Sequence, residues 1–334
     1  MPRALVTGAT GQVGHHVVER LQKDGWEVRA LVRDAARAGA LSRAGVTLAT
    51  GDVLDATSMA VAARRCDLVV HAAAAVTPRG GWEAFRRPNV EGTRNAIAAA
   101  EAAGARLVQV SSVAVYGDTA RYASGSGATT EDTPLAPLAR DAFYARSKRD
   151  AEALVLAAHA EGRLWATAVR PDVIYGTHDR QFVPRIARLL QHGIAPLVRG
   201  GGSRLAVVHA ANVADGIVRA AASERAGGRA YNLANDFDVT VAEFFDLAAE
   251  GMGVRLRHIA IPYPAARAAV VVLSVLAPFL SGNRYRAALA ASLDFMSRDN
   301  PFDSSRARRD LGWAPPVRPE AGVPEAFQWW RRHR

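Results

Sequence analysis

The opening segment, Ala4-Leu5-Val6 running into T-G-A-T-G-Q-V-G over residues 7–14, constrains the fold of this chain more than any other feature. A short apolar strand, three glycines in seven residues and helical spacing through Val17, Val18 and Leu21 make a strand–turn–helix unit. Gly8 lets the chain turn sharply out of the strand, and Gly11 lets backbone amides approach a pyrophosphate. Gly14 lets the helix pack closely, while the helix N-terminus adds partial positive charge. The spacing is G-x-x-G-x-x-G, not the G-x-G-x-x-G of the broader dinucleotide fold. Strand-like and helix-like segments then alternate: Glu27 to Val32 after Gly25, a third strand ending at Gly51-Asp52, and Asp67 to His71. An alanine-rich helix from about Asn89 to Ala103 precedes Leu107 to Ser111, and Leu164 to Arg170 follows. This alternation predicts an α/β fold, a Rossmann-type doubly wound parallel sheet with helices on both faces. The stretch Arg121 to Thr133, rich in Gly, Ser and Thr, reads as a surface loop. After Gly176 the alternation weakens, and prolines at 184, 196, 262, 264, 278, 301, 315, 316, 319 and 324 predict a smaller, more irregular part. The expected division is a dinucleotide-binding domain over 1–175 and 205–235 and a substrate-binding region over 176–204 and 236–334.

Composition limits the function classes. With 334 residues, 49% hydrophobic and 22% charged, the chain reads as globular. A formal charge of +10 raises nucleic acid or anionic membrane as partners. The arginines are scattered as singles and pairs, as at Arg64-Arg65, Arg86-Arg87 and Arg308-Arg309, without an aromatic-interleaved basic patch, so no nucleic-acid partner is expected. The single Cys66 excludes an intrachain disulfide and fits a reducing compartment. The first strand starts at Ala4, where a signal peptide would otherwise stand, so a cytoplasmic location is expected. No His, Cys and carboxylate cluster has metal-ligand spacing, and no metal is expected. His15, His16 and His209 read as structural or solvated.

Of 42 basic residues only Lys23 and Lys148 are lysine. A lysine retained against that bias points to a site where a compact, rotatable ammonium is needed and a guanidinium does not serve. Lys148 lies four residues after Tyr144 in F-Y-A-R-S-K-R, so the two share one face of a helix.

Further motifs carry a resemblance. G-D-V stands at 51–53, H-A-A-A at 71–74, N-V-E-G-T at 89–93 and S-S-V-A-V-Y-G at 111–117, followed by Y-A-R-S-K at 144–148 and R-P-D-V-I-Y-G at 170–176. With the opening glycines, these resemble an extended short-chain dehydrogenase/reductase from the first strand almost to the C-terminus. V-H-A-A-N-V-A-D-G, with Asn212 where sugar-nucleotide epimerases more often place Asp, is similar to the 3β-hydroxysteroid dehydrogenase branch. So are A-E-A-L-V-L-A-A-H after the lysine and F-D-S-S-R-A-R-R-D-L-G-W near the end. That branch includes steroid, sterol and 2-alkyl-3-oxoacid reductases.

The resemblance implies an NAD(P)-dependent oxidoreductase interconverting a hydroxyl and a ketone on a small hydrophobic substrate, with Ser112, Tyr144 and Lys148 as the catalytic group. Tyr144 would exchange the carbonyl proton, Ser112 would hold the carbonyl, and Lys148 would activate Tyr144 and hold the ribose. A free tyrosine titrates near ~10, so work at neutral pH needs a drop of about 3 units, roughly 4 kcal/mol. An ammonium about 5 Å away contributes roughly 3 kcal/mol at an effective dielectric of about 20. Ser111 rivals Ser112. The implied cofactor contacts are Gly8, Thr10, Gly11, Gln12, Val13, Gly14, Arg33, Asp52, Val53, Ala72, Ala73, Asn89, Tyr144, Lys148, Pro171 and Val173. Asn89 could equally be an N-cap, and His71 is expected to stand beside the cofactor through its backbone. Thr177-His178 replaces the Pro-Gly that often follows Y-G in relatives. Where NAD-preferring relatives put Asp this chain has Val32, then Arg33 with Arg37 one turn on, so NADP(H) is expected over NAD(H). The alternatives are a sugar-nucleotide epimerase or dehydratase of the same fold and a non-catalytic NADP sensor.

The most apolar run, Ala268 to Leu280, would span roughly 20 Å as a helix, short of the ~30 Å of a bilayer core. It is expected to be a buried helix, or else the wall of a lipophilic pocket resting on a membrane surface with Arg267, Arg284 and Arg286 toward the headgroups. A homodimer is compatible with all of these readings.

Overall fold

A computed structural model describes residues 1–77, 80–117, 128–234, 236–280 and 293–334, with the backbone alone for 274–280. The first half runs β1 (Arg3–Thr7), α1 (Gln12–Lys23), β2 (Glu27–Val32), α2 (Gly39–Arg43), β3 (Thr47–Thr50), α3 (Ala56–Ala63) and β4 (Leu68–His71). It continues with α4 (Trp82–Arg86), α5 (Gly92–Ala103), β5 (Arg106–Val110), α6 (Phe143–Ala160) and β6 (Ala166–Pro171). The second half runs β7 (Val173–Tyr175), α7 (Phe182–Leu190), β8 (Ile194–Val198), β9 (Val207–His209), α8 (Ala210–Ala222), β10 (Ala230–Leu233) and α9 (Val241–Met252). It ends with β11 (Arg257–Ile261), α10 (Tyr263–Leu280), α11 (Ser305–Leu311) and α12 (Pro319–His333).

Seven strands form one sheet in the order β10-β6-β5-β4-β1-β2-β3, and every pairing is parallel. All four residues of β4 and all six of β6 are buried, which is why L-V-V-H lacks polar alternation, while the polar members of β6, Thr167 and Arg170, are enclosed with their hydrogen-bond partners. β1 shows how both faces are covered. Ala4 and Val6 pack with Val17, Leu21 and Ile217 from α1 and α8, whereas Leu5 joins Met59, Ile97 and Val155 from α3, α5 and α6. Strand order reverses at β1, flanked by β2 and β4, the switch point at which open α/β sheets form a crevice beyond the strands' carboxyl ends.

The second half is more regular than its prolines predict. Pro319 is the first residue of α12, where the missing N–H leaves no intrahelical bond unmade. Pro184 likewise sits in the first turn of α7. These elements build a separate core around Tyr175, Leu197, Phe244, Phe245 and Phe327. The loop expected from Arg121 lies up to residue 127 outside the described residues; Thr129 then bridges to Phe302.

The apolar run is helical within α10 but not buried over its described residues, since Val271 and Val272 are each 56% exposed. Arg284 and Arg286 lie outside the described residues. Among those described, no helix is long and apolar enough to cross a membrane.

Candidate active site

The glycine turn lines the crevice. Gly8 has φ +71, and a Cβ there would come within 2.7 Å of the Ala73 backbone nitrogen, so only glycine lets the strands' ends approach this closely. A Cβ on Gly14 would come within 2.7 Å of Ala9 Cα, which fixes that glycine through helix packing. Gly11 caps α1 without a side chain, and Thr10 and Gly11 are both exposed, so the amides at the start of α1 face the crevice without a side-chain screen. Val13 packs back onto the core. Gln12 Nε2 is buried without a hydrogen-bond partner among the described residues, a donor left for something that enters the turn. Across the crevice, Ala72 N donates to the Thr7 carbonyl (3.3 Å) and Ala73 N to Thr7 Oγ1 (3.3 Å), so the chain after β4 lies against the end of β1. An anion-bearing dinucleotide fits this cradle.

The other expected contacts are placed as follows. Asp52 turns its carboxylate onto its own loop, accepting from Leu54 N (2.9 Å), and Val53 packs against Gly92. Arg33 is exposed just past the end of β2. The nearby acid is engaged: Asp34 accepts from Ala36 N (2.9 Å) and pairs with Arg37 Nε (3.2 Å). Pro171 ends β6 in the interior, and Val173 N donates to Asp172 Oδ1 (2.7 Å).

Tyr144 is the second residue of α6 and half-buried; Lys148 follows one turn on and is only 5% exposed. Lys148 Nζ donates to the Val110 carbonyl at the end of β5 (2.8 Å). Burial pushes its pKa down to about 8 against the opposing pull of Glu152, so the free protein holds this ammonium near its titration point. The backbone carbonyl of Tyr144 accepts from Ser147 Oγ (2.8 Å), which accepts from Asn89 Nδ2 (2.9 Å). Asn89 also pairs with the Ala75 backbone through both its oxygen (2.7 Å) and its nitrogen (3.0 Å). It is therefore not an N-cap. Asn89 staples the chain after β4 to the helix that carries Tyr144.

Ser112 is half-buried and caps a short 3-10 turn, Val113–Tyr116, accepting from Ala114 N (3.2 Å). Ser111 is buried, and its Oγ has no partner among the described residues. His71 is buried and shares a 2.8 Å hydrogen bond with Thr7 Oγ1. Burial and the Lys148 charge push its pKa down to about 3, so it stays neutral and anchors the end of β4.

Three features escape a local reading of the sequence. Phe143, the residue before Tyr144, lies 6.4 Å from Trp82 and 6.1 Å from Phe85, ring centre to ring centre, and the Arg146 guanidinium lies over the Trp82 ring at 4.3 Å. Their separation of some sixty residues hides this cluster. His178, left-handed at φ +61, stacks on His15 (3.7 Å) while Thr177 Oγ1 meets His16 Nε2 (3.0 Å). The loop that replaces Pro-Gly is thus held to α1 by side chains. The third feature is a buried ion pair, Arg170 with Glu152; Glu152 lies four residues beyond Lys148, a spacing that could have drawn notice.

The model of the NAD dependent epimerase/dehydratase family matches residues 4–234. The chain belongs to that family. It is 32% identical to the 4-hydroxy-2-methyl-3-oxo-4-farnesyl-3,4-dihydroquinoline-1-oxide ketoreductase of Stigmatella aurantiaca, over 96% of this chain and 94% of that protein. It is 30% identical to a 2-alkyl-3-oxoalkanoate reductase of Shewanella oneidensis, over 96% of this chain and 84% of that protein. Among solved structures, that of gox2253 superposes with a TM-score of 0.76 at 27% identity, covering 100% of this chain and 99% of that one. As a member of the NAD dependent epimerase/dehydratase family, the chain is a nicotinamide-dependent enzyme of the extended short-chain dehydrogenase/reductase type. A bound nicotinamide supplies or accepts the hydride. What this chain adds is the cradle around Gly8 and Gly14, a buried lysine, and a tyrosine at the head of the same helix.

Proposed function

We propose that this enzyme is an NADP(H)-preferring reductase of ketones on hydrophobic substrates. Tyr144 gives a proton to the carbonyl oxygen as hydride reaches the carbonyl carbon, and takes it back in the reverse direction. Ser112 holds the carbonyl oxygen, and Lys148 holds the ribose while lowering the cost of a Tyr144 phenolate. The observation that supports the substrate class is the cluster of Phe143, the residue before Tyr144, with Trp82 and Phe85, which brings aromatic surface to the head of the helix that carries Tyr144. The two reductases named above act on the same class, as their names state.

The cofactor preference rests on the end of β2. Val32 is buried there, Asp34 is engaged in its own turn, and Arg33 is exposed without an ion-pair partner among the described residues. A guanidinium in that position attracts a 2′-phosphate. The exposed face of α10 also receives an occupant: an anionic lipid surface that delivers the substrate. Val271 and Val272 share a groove with Arg267, and Arg199 stacks on Tyr263 at 4.7 Å, so apolar and cationic groups stand together on a chain of net charge +10.

Steady-state reduction of 2-alkyl-3-oxo acids and sterol ketones with NADPH and with NADH, alongside nucleotide sugars, tests the reading. It expects turnover of hydrophobic ketones, a higher kcat/KM with NADPH, and loss of that preference in Arg33→Ala. Turnover confined to nucleotide sugars would overturn the substrate class, and a clear NADH preference would overturn the cofactor assignment.

A further inference from the structure

The Glu152–Arg170 pair lies outside the reacting groups, yet it touches every element that carries them. Both side chains are almost fully enclosed, at 6% and 7% exposure. Arg170, on β6, donates to Glu152 from Nε (3.2 and 3.0 Å) and from Nη2 (2.5 Å). Its Nη1 donates to Tyr116 Oη (2.8 Å), whose own proton goes to Asn232 Oδ1 on β10 (2.7 Å). The guanidinium also lies over the Tyr116 ring, 4.9 Å from its centre. Tyr116 ends the short turn that Ser112 begins. Arg149 adds a second tie, donating to the Val115 carbonyl from Nε (3.1 Å) and Nη2 (2.5 Å). One continuous set of bonds therefore joins the Ser112 turn, β6 and the helix bearing Tyr144 and Lys148.

Glu152 stands one helical turn beyond Lys148, on the same face of the helix, and acts on the lysine through its charge. The groups that bear on Lys148 are few: Glu152 on its own helix, which favours the ammonium, and His71 from β4, which is neutral. Arg149 and Tyr144 share the helix, and Arg170 faces Glu152 from β6. Burying an ion pair costs several kcal/mol of desolvation per ion in general, and such pairs are often replaceable by apolar groups without loss of stability. What sets this pair apart is its place, since it bridges the helix of Tyr144 and Lys148 to the turn of Ser112.

We propose that Glu152 and Arg170 are positioning residues: Arg170 fixes the Glu152 carboxylate on the helix face that carries Lys148, and through Tyr116 fixes the Ser112 turn against the Tyr144 helix. The inference rests on the assignment of Lys148 and Ser112 above, but its main test needs neither substrate nor turnover. With only two lysines in the chain, 13Cε-lysine labelling gives two resonances, and Lys23→Arg identifies the one from Lys148. Titrating the free protein reads the Lys148 pKa directly. Glu152→Gln lowers it by about one unit or more, because a charge one turn away is lost from a low-dielectric site. Glu152→Met/Arg170→Met, which swaps the pair for apolar groups of similar length, lowers it as well while keeping the melting temperature near that of the parent. At pH 7.5 such a fall cuts the charged fraction of Lys148 about threefold, and cofactor affinity falls with it. Tyr116→Phe leaves the Lys148 resonance where it was and reduces kcat about tenfold or more, since only the Ser112 tie is cut. An unmoved Lys148 pKa in a folded Glu152 variant would show the pair to be a clamp of the fold alone. Unchanged kcat in Tyr116→Phe would remove the link to Ser112. Failure to reduce any ketone would sink the proposed function and leave the lysine titration standing.

Discussion

Lys148→Met should make the free protein more stable near neutral pH while abolishing its turnover. Lysine ordinarily titrates near 10.5, and here burial holds it at about 8. Between those values the unfolded chain binds a proton that the folded chain has released, so wild-type stability rises with pH across that window. Below about pH 8 the folded state carries the full cost of a charged, buried ammonium. At about 1.36 kcal/mol per unit, the cost is roughly 3 kcal/mol at pH 7 and about 1.4 kcal/mol at pH 9.5. Methionine is similar in length and removes the charge but leaves the Val110 carbonyl without its donor, a penalty of about 1–3 kcal/mol that does not vary with pH. The absolute gain is therefore small, and the pH dependence is the sharp quantity. The advantage of Lys148→Met over wild type should shrink by about 2 kcal/mol between pH 7 and pH 9.5. Urea unfolding followed by tryptophan fluorescence at the two pH values measures it. An advantage that stays constant, or grows with pH, would refute the reading of Lys148 as a desolvated cation.

Tyr144→Phe should lose several orders of magnitude in turnover with the cofactor dissociation constant nearly unchanged, because only the transferable proton is removed; retention of more than about a tenth of turnover would end its assignment as the acid. Gly8→Ala forces a side chain into a left-handed backbone and within 2.7 Å of Ala73 N, so thermal unfolding should fall by the equivalent of about 1–3 kcal/mol and calorimetry should show weakened cofactor binding. Flotation with anionic vesicles should carry the wild-type protein but not Val271→Asp/Val272→Asp, and absence of any wild-type flotation would remove the lipid surface as occupant of α10.

The sheet was legible in the sequence because a buried parallel strand must be a short apolar run and its crossover helix must carry apolar spacing, as at Leu68–His71 and Gln12–Lys23. The glycine turn was legible for the same local reason: φ +71 at Gly8 admits few other residues. What local pattern could not supply is distance in the fold. Arg170 meets Tyr116 across 54 positions and Asn232 meets Tyr116 across 116, so the network behind Ser112 has no sequence signature. The depression of Lys148 was hidden likewise, because burial depends on which strands and helices close over the side chain. Proline content misled for the second half, since Pro184 and Pro319 open helices and do not interrupt them. The exposure of Val271 and Val272 shows the converse limit: an apolar run states a preference for burial, not that neighbours provide it.

Net transfer of hydride to a substrate ketone is the most direct measurement of the central claim. With NADPH deuterated at the transferring position of the nicotinamide, a 2-alkyl-3-oxo acid or sterol ketone should yield an alcohol carrying deuterium on the former carbonyl carbon, one per cofactor oxidised. Tyr144→Phe should give none in the same time. Conversion of a nucleotide sugar with no net cofactor oxidation, and no deuterium in any ketone-derived alcohol, would contradict it.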